Sequence, residues 1–422
     1  MANLFKSFST WIIIGVIAAI LPLIFDSSFA LTLLSKMGVL IIFTVAYNML
    51  LGQGGMLSFG HAIYFGLAGY ASIHIMNGIG AETLPYFPTV LFPLIGAVVG
   101  LFFGCLVGYV STRRAGTAFA MISLGFGEMV TAMTLIFVLF FNGEDGIQTD
   151  RMVGPEPFGI TFGPQIEIYY LILFWCVITV ALMYIITKTP FGRMSNAVRD
   201  NPERAAFIGY SVRRVRWQAF ALSSMFAGAA GSLHALNYEH IGFESVSVIQ
   251  SGAVLFMAFI GGAGHFLGPI VGAIGLTYLD STLADYTEAW LLYLGLTFSG
   301  IVMFAPGGLA GLIVMHGPIA RTDKKLLTSL VKPYLLAIGS VVTGLIGLIG
   351  IIEMLYFRSL ISKGEGEVII FWMEFNAKGI TSWLIFIGLI LGGIFLSKKT
   401  FPMAKESWDH AISVVKTEIS HE

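Results

Sequence analysis

Apolar segments long enough to cross a lipid bilayer follow one another along almost the whole chain. Crossing the hydrocarbon takes roughly 20 mostly apolar residues, and fewer where helices are broken or covered by neighbours. The segments lie near residues 8–25, 31–51, 57–76, 89–110, 117–141, 168–187, 217–236, 247–262, 266–283, 288–305, 334–356 and 380–397. They predict an all-α fold, a polytopic transmembrane helical bundle of about ten core helices with a two-helix extension at the C-terminal end. Because residues 26–30 make a poor cleavage site, we interpret the first segment as a retained helix and not a signal peptide.

Composition excludes a soluble globular protein. Hydrophobic residues make up 56% of the chain and charged residues 11%, with a mean hydropathy of +0.85, whereas a soluble domain has roughly 25% charged residues. The net charge of −1 gives no reason to expect a nucleic-acid partner. Cys105 and Cys176 both lie in apolar runs, where a thiol is usually buried, so they predict neither a disulfide nor a metal site.

The distribution of charged residues predicts an orientation in the membrane, because Lys and Arg accumulate on the cytoplasmic side. Four basic stretches fall on one side of the segments: Arg113 with Arg114, residues 188–216, residues 321–332, and Lys398 with Lys399. Loops expected on the other side contain acids: Glu144, Asp145, Asp150 and Glu156 in one, and Asp280, Asp285 and Glu288 in another. This pattern predicts cytoplasmic N- and C-termini.

Glycines interrupt two of the apolar stretches in the same way, at residues 52–60 and 261–269. Broken helices at matching places in two halves indicate a transport path, since unwound backbone is tolerated at membrane depth only under protein cover or beside a wet cavity. We therefore predict that the following residues line the path: Gly52, Gly54, Gly55, Ser58, Gly60, Gly261, Gly262 and Gly264. Most other glycines, including the pairs Gly100/Gly104 and Gly228/Gly231, are predicted to let helices pack closely.

Residues 188–216 contain a short helix, predicted over residues 202–208. Asn201 is a good N-cap, Pro202 suits the first helical position, and Gly209 can adopt the left-handed stop. The helix is expected to display four apolar side chains, Ala205, Ala206, Phe207 and Ile208. Such a surface either docks in a groove of another protein or lies flat on lipid headgroups, held there by the surrounding arginines. The residues alone leave both interpretations open.

Three titratable side chains in or beside apolar segments are considered for a role in the transport path. Glu128, in the fifth segment, is predicted to line the path, with a protonated or hydrogen-bonded carboxyl that holds helices together as the alternative. His61 and His265, next to the two breaks, are interpreted as capping or packing residues. No spacing of His, Cys, Asp and Glu resembles a metal site.

Four ordered stretches resemble the branched-chain amino acid permease family of ABC transporters: residues 47–70, 114–128, 201–209 and 261–269. The resemblance covers roughly residues 35–315 and implies a permease core over residues 1–315. Residues 316–422 contain the last two apolar segments. The family pattern does not include this stretch, so we interpret it as an extension.

The resemblance implies a non-catalytic permease subunit with several partners. These are a second, homologous permease subunit, two cytoplasmic ATP-binding subunits and an extracytoplasmic solute-binding protein. The chain has no phosphate-binding loop of its own, so partner subunits bind the ATP and this chain needs no cofactor. By the same analogy the residues that couple to the ATPase are Asn201, Pro202, Glu203, Arg204, Ala205, Ala206, Phe207, Ile208 and Gly209.

The resemblance also implies inward transport across the plasma (inner) membrane of a bacterium, in contact with lipid. It favours branched-chain or other hydrophobic amino acids as substrates, with urea, short amides or other small organic solutes as the alternative. A proton-coupled secondary transporter that uses Glu128 as its relay is a hypothesis of another class. A membrane-embedded enzyme would need catalytic residues gathered at one depth, and no such group is visible in the sequence.

Overall fold

The computed structural model describes residues 15–153, 159, 161–305, 307–322, 324–360 and 367–421. Almost all regular structure in these ranges is helical, which confirms the predicted polytopic helical bundle. The helices up to the basic loop are α1 (Gly15–Ile24), α2 (Ser28–Asn48), α3 (Ala62–Gly80), α4 (Phe92–Ser111), α5 (Thr117–Ile136), α6 (Val138–Phe141) and α7 (Gln165–Lys188). Those that follow are α8 (Pro190–Asp200), α9 (Pro202–Phe207), α10 (Val212–Tyr238), α11 (Val248–Gly261), α12 (Gly268–Tyr286), α13 (Trp290–Phe304), α14 (Gly308–Met315), α15 (Gly317–Thr322), α16 (Lys324–Leu360) and α17 (Ile380–His421).

Short strands join the helices at two places that the sequence analysis did not predict. Strand β1 (Ile147–Gln148) pairs antiparallel with β2 (His240–Ile241), and β3 (Glu367–Ile370) pairs antiparallel with β4 (Met373–Asn376). Strands of two to four residues are too short to produce a periodic pattern in the sequence. Single 3₁₀ turns lie at Thr89–Leu91, Gly143–Asp145 and Phe243–Val246.

Seven helices in the described ranges are long and apolar enough to cross a membrane. They lie within Ser28–Gln53, Thr89–Ser111, Thr117–Ile136, Gln165–Lys188, Val212–Tyr238, Leu326–Ser359 and Ile380–Lys416. An eighth span results if the bent pair Trp290–Phe304 and Gly308–Ile319 crosses as one. The other predicted segments form helices that are shorter or less apolar, so the predicted count is approximate. Residues 8–14 of the first predicted segment lie outside the described ranges.

The chain divides into two compact units. The first comprises residues 1–286 and 294–311, and the second comprises residues 287–293 and 312–422. The limits proposed from the sequence, 1–315 and 316–422, stay a prediction about domains.

Glycines bring helices of the first unit into backbone contact. A Cβ atom on Gly100 of α4 would collide with the Ser224 carbonyl of α10, and one on Gly228 of α10 would collide with the Gly96 carbonyl. Small residues allow such an approach, which lets helices associate in lipid. The packing role predicted for these glycines is confirmed.

The second unit is built mainly from α16 and α17, which extend well past the predicted segments 334–356 and 380–397. Beyond the apolar stretches, Ile319, Leu330 and Ala411 form a small buried cluster that keeps both helices regular at these ends. Near the other end of α16, Glu353 accepts hydrogen bonds from Thr287 Oγ1 at 2.8 Å and from the Tyr293 hydroxyl at 2.7 Å. Residues 287–293 are thus held to α16.

The acidic residues predicted in one loop are partly helical. Asp280 and Asp285 lie within α12, and only Glu288 lies between α12 and α13. The sequence assignment of Asp280 and Asp285 to a loop was therefore wrong, because α12 continues to Tyr286. Glu156, predicted in the other acidic loop, lies outside the described ranges.

Candidate functional site

The first glycine break is a kink followed by an extended stretch. Helix α2 continues into a π-helical turn at Met49–Gln53, Gly54 ends that turn, and α3 begins at Ala62. Side chains from other elements bond the unwound backbone. The Tyr47 hydroxyl donates to the Ser58 carbonyl at 2.9 Å, and Ser123 Oγ accepts from the Phe59 N–H at 3.0 Å. These groups are covered by protein, which is one of the two conditions for unwound backbone at membrane depth.

The predicted path residues of this break lie close to other parts of the protein, and Gly55 alone among them is exposed. A Cβ atom on Gly60 would collide with the Ser123 carbonyl, and Gly55 has a positive φ of 64° that favours glycine. Ser58 is fully buried, and its Oγ has no hydrogen-bond partner in the described part of the protein. The break is therefore a packed junction, and Asn48 Oδ1 and His61 Nδ1 at its two ends also have no hydrogen-bond partner among the described residues.

The second break lies against the first. Helix α11 ends at Gly261, Gly262 has a φ of +106°, and α12 begins at Gly268. A Cβ atom on Gly52 would collide with the Ala263 carbonyl. Glycine at these positions lets the two breaks meet at backbone distance.

Close packing continues at the second break, with one exception. A Cβ atom on Gly261 would meet the Gly268 carbonyl, and one on Gly262 would meet the Gly307 carbonyl. Around Gly264 there is open space. Of the glycines predicted at this break, Gly264 alone is exposed and free of close neighbours.

His61 is a packing residue, as the sequence analysis favoured. It is fully buried, and its ring lies against those of Tyr47 and Tyr64, with centroids 5.4 Å away in each case. The Ser223 hydroxyl has one proton, which it donates to the Ala46 carbonyl at 2.6 Å. Ser223 Oγ therefore accepts a hydrogen bond from His61 Nε2 at 2.9 Å. These directions assign the imidazole proton to Nε2.

Glu128 lies on an exposed stripe of α5. The residues of this stripe recur every three or four positions and are Met121, Gly125, Glu128, Ala132 and Ile136. Met121 is 57% and Ile136 72% exposed, and there is open space around Gly125. The carboxyl group is therefore the ionisable member of an otherwise apolar face on a membrane-spanning helix.

The predicted coupling segment is a helix of six residues, Pro202–Phe207, one residue shorter than expected. Asn201 Oδ1 accepts from the Arg204 N–H at 2.9 Å, which confirms the N-cap, and Gly209 stops the helix with a φ of +93°. Phe207 is 90% and Ile208 66% exposed. We call Ala206, Phe207, Ile208 and Tyr210 the docking patch, since all four are exposed.

Ala205 does not belong to this patch. It is only 2% exposed and packs against Val198 of α8 and Val215 of α10. The expectation that Ala205 is displayed was wrong, because it faces the two neighbouring helices. Glu203 and Arg204 are exposed in the first turn, and Pro202 is half-buried.

Two contacts link α8 to the first break. Arg199 Nη1 donates to the Gly52 carbonyl, and Ser195 Oγ donates to the Gln53 carbonyl at 3.5 Å. The sequence analysis treated Arg199 as one of several arginines in a basic loop and did not identify this contact.

An ion pair between two helices was also missed. Lys36 Nζ of α2 lies 3.3 Å from Asp280 Oδ2 of α12, and both side chains are about one-third exposed (31% and 34%). An ionisable side chain within an apolar segment is expensive and calls for a partner. The lone lysine in the segment 31–51 was the available signal.

Among the described residues, no group of three or more His, Cys, Asp or Glu side chains could hold a metal ion. Cys176 is buried, Cys105 is half-buried, and both thiols are free.

Comparison with known proteins places the chain among transport permeases. A family model described as "Branched-chain amino acid transport system / permease component" matches residues 29–307. The high-affinity branched-chain amino acid transport system permease protein LivM of Escherichia coli (strain K12) is 27% identical over 309 residues, which cover 68% of this chain and 69% of that protein.

Other relatives are named for different solutes. An autoinducer 2 import system permease protein of Klebsiella pneumoniae is 29% identical over 46% of this chain and 55% of its own length. A fructose import permease protein of Rhizobium meliloti is 24% identical over 47% of this chain and 58% of its own length. No solved structure matches the chain.

The family match covers well over half of the chain and contains both glycine breaks, Glu128 and the loop with α8 and α9. Together with the apolar helices, it makes the protein a multi-pass membrane protein. The chain belongs to the family of branched-chain amino acid transport system permease components.

Proposed function

We propose that the chain is the membrane-spanning subunit of a binding-protein-dependent ABC importer that moves branched-chain or other hydrophobic amino acids inward. The observation that carries this proposal is the docking patch on α9, whose Phe207 is 90% exposed beside a helix that contacts the first glycine break. An apolar helical surface of this kind suits the groove of a partner protein. The match to a family of transport permease components favours docking over the alternative of a helix lying on lipid.

The proposed partner at the patch is a cytoplasmic ATP-binding subunit, two of which serve the complete transporter. This chain is then a non-catalytic subunit that binds no cofactor, since the partner subunits bind and hydrolyse the ATP. The patch would face the cytoplasm of a bacterium, with both chain termini on the same side of its plasma (inner) membrane. Movement of the ATPase pair would displace α9 and rock the helices on both sides of the loop.

A second, homologous permease subunit is the proposed partner of α5. Glu128 would be costly in contact with lipid, whereas a polar interface or a wet path between two subunits could accommodate it. The exposed stripe of α5 supports this, since an apolar face with a single carboxyl suits a subunit interface beside a path. The remaining apolar surface would contact lipid, and an extracytoplasmic solute-binding protein would deliver the substrate.

The proposed substrate class follows from the coverage of the relatives. The branched-chain amino acid permease LivM aligns with about two-thirds of both chains, whereas the fructose and autoinducer 2 permeases align with about half of this chain. Urea, short amides and other small organic solutes are the second candidate class. A proton-coupled secondary transporter is the candidate of a different kind, because Glu128 is an ionisable group on a membrane-spanning helix.

Reconstituted transport tests the proposal. The complex that co-purifies with this chain is placed in proteoliposomes, and uptake of radiolabelled leucine is measured with and without ATP on the ATPase side, with urea in parallel. We expect leucine uptake that requires ATP. Urea uptake that requires ATP would contradict the proposed substrate class but not the importer. Uptake driven by a proton gradient without ATP would contradict the proposal of an ABC importer.

The docking patch is tested by Ala206→Arg, which places a charge in the middle of the apolar surface. We expect the variant to accumulate in the membrane and to lose at least ten-fold in ATP-dependent uptake, because a desolvated unpaired charge is costly at an interface. The matched control is Ala197→Arg, at an exposed alanine of α8 outside the patch. Full uptake by the Ala206 variant would refute the assignment of the patch.

A further inference from the structure

The broken end of α2 is capped from outside by a side chain of the basic loop. A helix leaves its last carbonyl groups without partners within the helix, and a nearby arginine can bond them. At the end of the π-helical turn, the Gly52 carbonyl accepts from Arg199 Nη1. The next carbonyl, at Gln53, accepts from Ser195 Oγ of the same helix at 3.5 Å. Helix α8 thus supplies caps that α2 lacks.

The guanidinium group of Arg199 is oriented by its neighbour in sequence, Asp200. Arg199 Nε and Nη2 both lie 2.8 Å from Asp200 Oδ1. The stem of Arg199 crosses Gly55 so closely that a Cβ atom there would lie 2.6 Å from Arg199 Cγ. Because Asp200 orients the charged end and Gly55 makes room for the stem, movement of α8 has to move the carbonyl of Gly52 or break the bond to it.

Gly52 is also the point at which the first break touches the second. A Cβ atom on Gly52 would collide with the Ala263 carbonyl in the segment between α11 and α12. Displacement of the Gly52 peptide would therefore reach both breaks at once.

The same helix is joined to the docking patch. Ala205 of α9 packs against Val198 of α8 and Val215 of α10, and α9 follows α8 after Asn201 alone. Interlocked side chains with no intervening flexible loop make α8 and α9 move together.

We propose that Arg199 is the positioning residue that transmits movement of the docking patch to the junction of the two glycine breaks. The inference rests on the proposed function and adds to it the residue through which the loop acts. Arg199 touches no solute in this account. Through the bond from Arg199 to the Gly52 carbonyl, closure of the ATPase pair changes the geometry of the breaks. Loss of Arg199 should therefore let ATP hydrolysis continue without transport.

The test is the amount of radiolabelled leucine taken up per ATP hydrolysed by the reconstituted complex. Arg199→Met keeps an unbranched stem over Gly55 and removes the donors. We expect ATP hydrolysis within two-fold of the unmodified complex and at least a ten-fold fall in leucine per ATP. Arg199→Lys, which restores a charged donor, should recover part of this ratio. The matched control, Arg193→Met, removes the same charge from an exposed arginine of α8 whose side chain makes no hydrogen bond within the described residues.

An unchanged ratio of leucine taken up to ATP hydrolysed in Arg199→Met overturns the inference. This includes a parallel fall in hydrolysis and uptake, because a merely structural cap would reduce both together. If Arg199→Met does not accumulate in the membrane, Asp200→Asn serves instead. Asp200 is 65% exposed, so this change is tolerated by the fold, and it should lower the ratio by weakening the orientation of the guanidinium. An unchanged ratio there also overturns the inference.

The two proposals fail in different ways. Absence of ATP-dependent uptake in the unmodified complex would contradict the proposed function. Normal uptake in the unmodified complex with an unchanged ratio in the Arg199 and Asp200 variants would contradict only the role of Arg199.

Discussion

At the scale of single residues, Glu128 is the carboxyl for which the fold offers the clearest functional reason. It is exposed on the stripe of α5 from Met121 to Ile136, where contact with lipid would be costly. We expect Glu128→Gln to lower leucine uptake about ten-fold while ATP hydrolysis continues, since a charged hydrogen bond contributes on the order of 1.5–3 kcal/mol. Near-normal uptake would show that the carboxylate is required neither as a substrate contact nor as a proton relay.

Other residues show where sequence reasoning stops. The N-cap at Asn201 and the stop at Gly209 follow from local chemistry, and both are confirmed. The pair of Lys36 and Asp280 depends on two helices that are far apart in sequence, and nothing local indicates that they meet. Arg199 is likewise indistinguishable from its neighbours by spacing, because its partner is a backbone carbonyl of another helix.

At the scale of helices, the closest approaches depend on individual glycines. A Cβ atom on Gly231 of α10 would collide with the Phe65 carbonyl of α3, whereas Gly275 of α12 has open space around it. We expect Gly231→Ala to destabilise the protein by about 1–3 kcal/mol through overpacking. Gly275→Ala is the matched control and should be neutral or stabilising by up to about 1 kcal/mol, since alanine favours a helix. Thermal unfolding midpoints in detergent measure both, and equal midpoints would contradict the packing argument.

Helix positions were predictable because apolar runs of membrane length have few alternatives, but helix ends were not. Helix α12 runs on through Asp280 and Asp285, and α17 runs past Lys398 and Lys399 to His421. Charged residues normally mark the end of an apolar segment, whereas here packing keeps the helix regular beyond it. The cluster of Leu330 and Ala411 is formed by residues far apart in the chain, so no local pattern reveals it.

At the scale of the whole molecule, the family match and the extension occupy different parts of the chain. The match ends at residue 307 and the proposed extension begins at residue 316, although the second unit contains residues 287–293 as well as 312–422. We expect a chain that ends at residue 315 to keep ATP-dependent leucine uptake, because both breaks, Glu128 and the docking patch precede that point.

The shortened chain should nevertheless be less stable. Thr287 and Tyr293 remain in it but lose Glu353 as their acceptor, and a hydrogen bond contributes about 0.5–1.5 kcal/mol to stability. In the full chain, Glu353→Leu should reproduce part of the fall in the thermal midpoint, whereas Glu353→Gln keeps an oxygen acceptor and should lose less. A shortened chain that assembles with its ATPase but transports nothing would place the extension inside the transport machinery, since stability alone would not explain that loss.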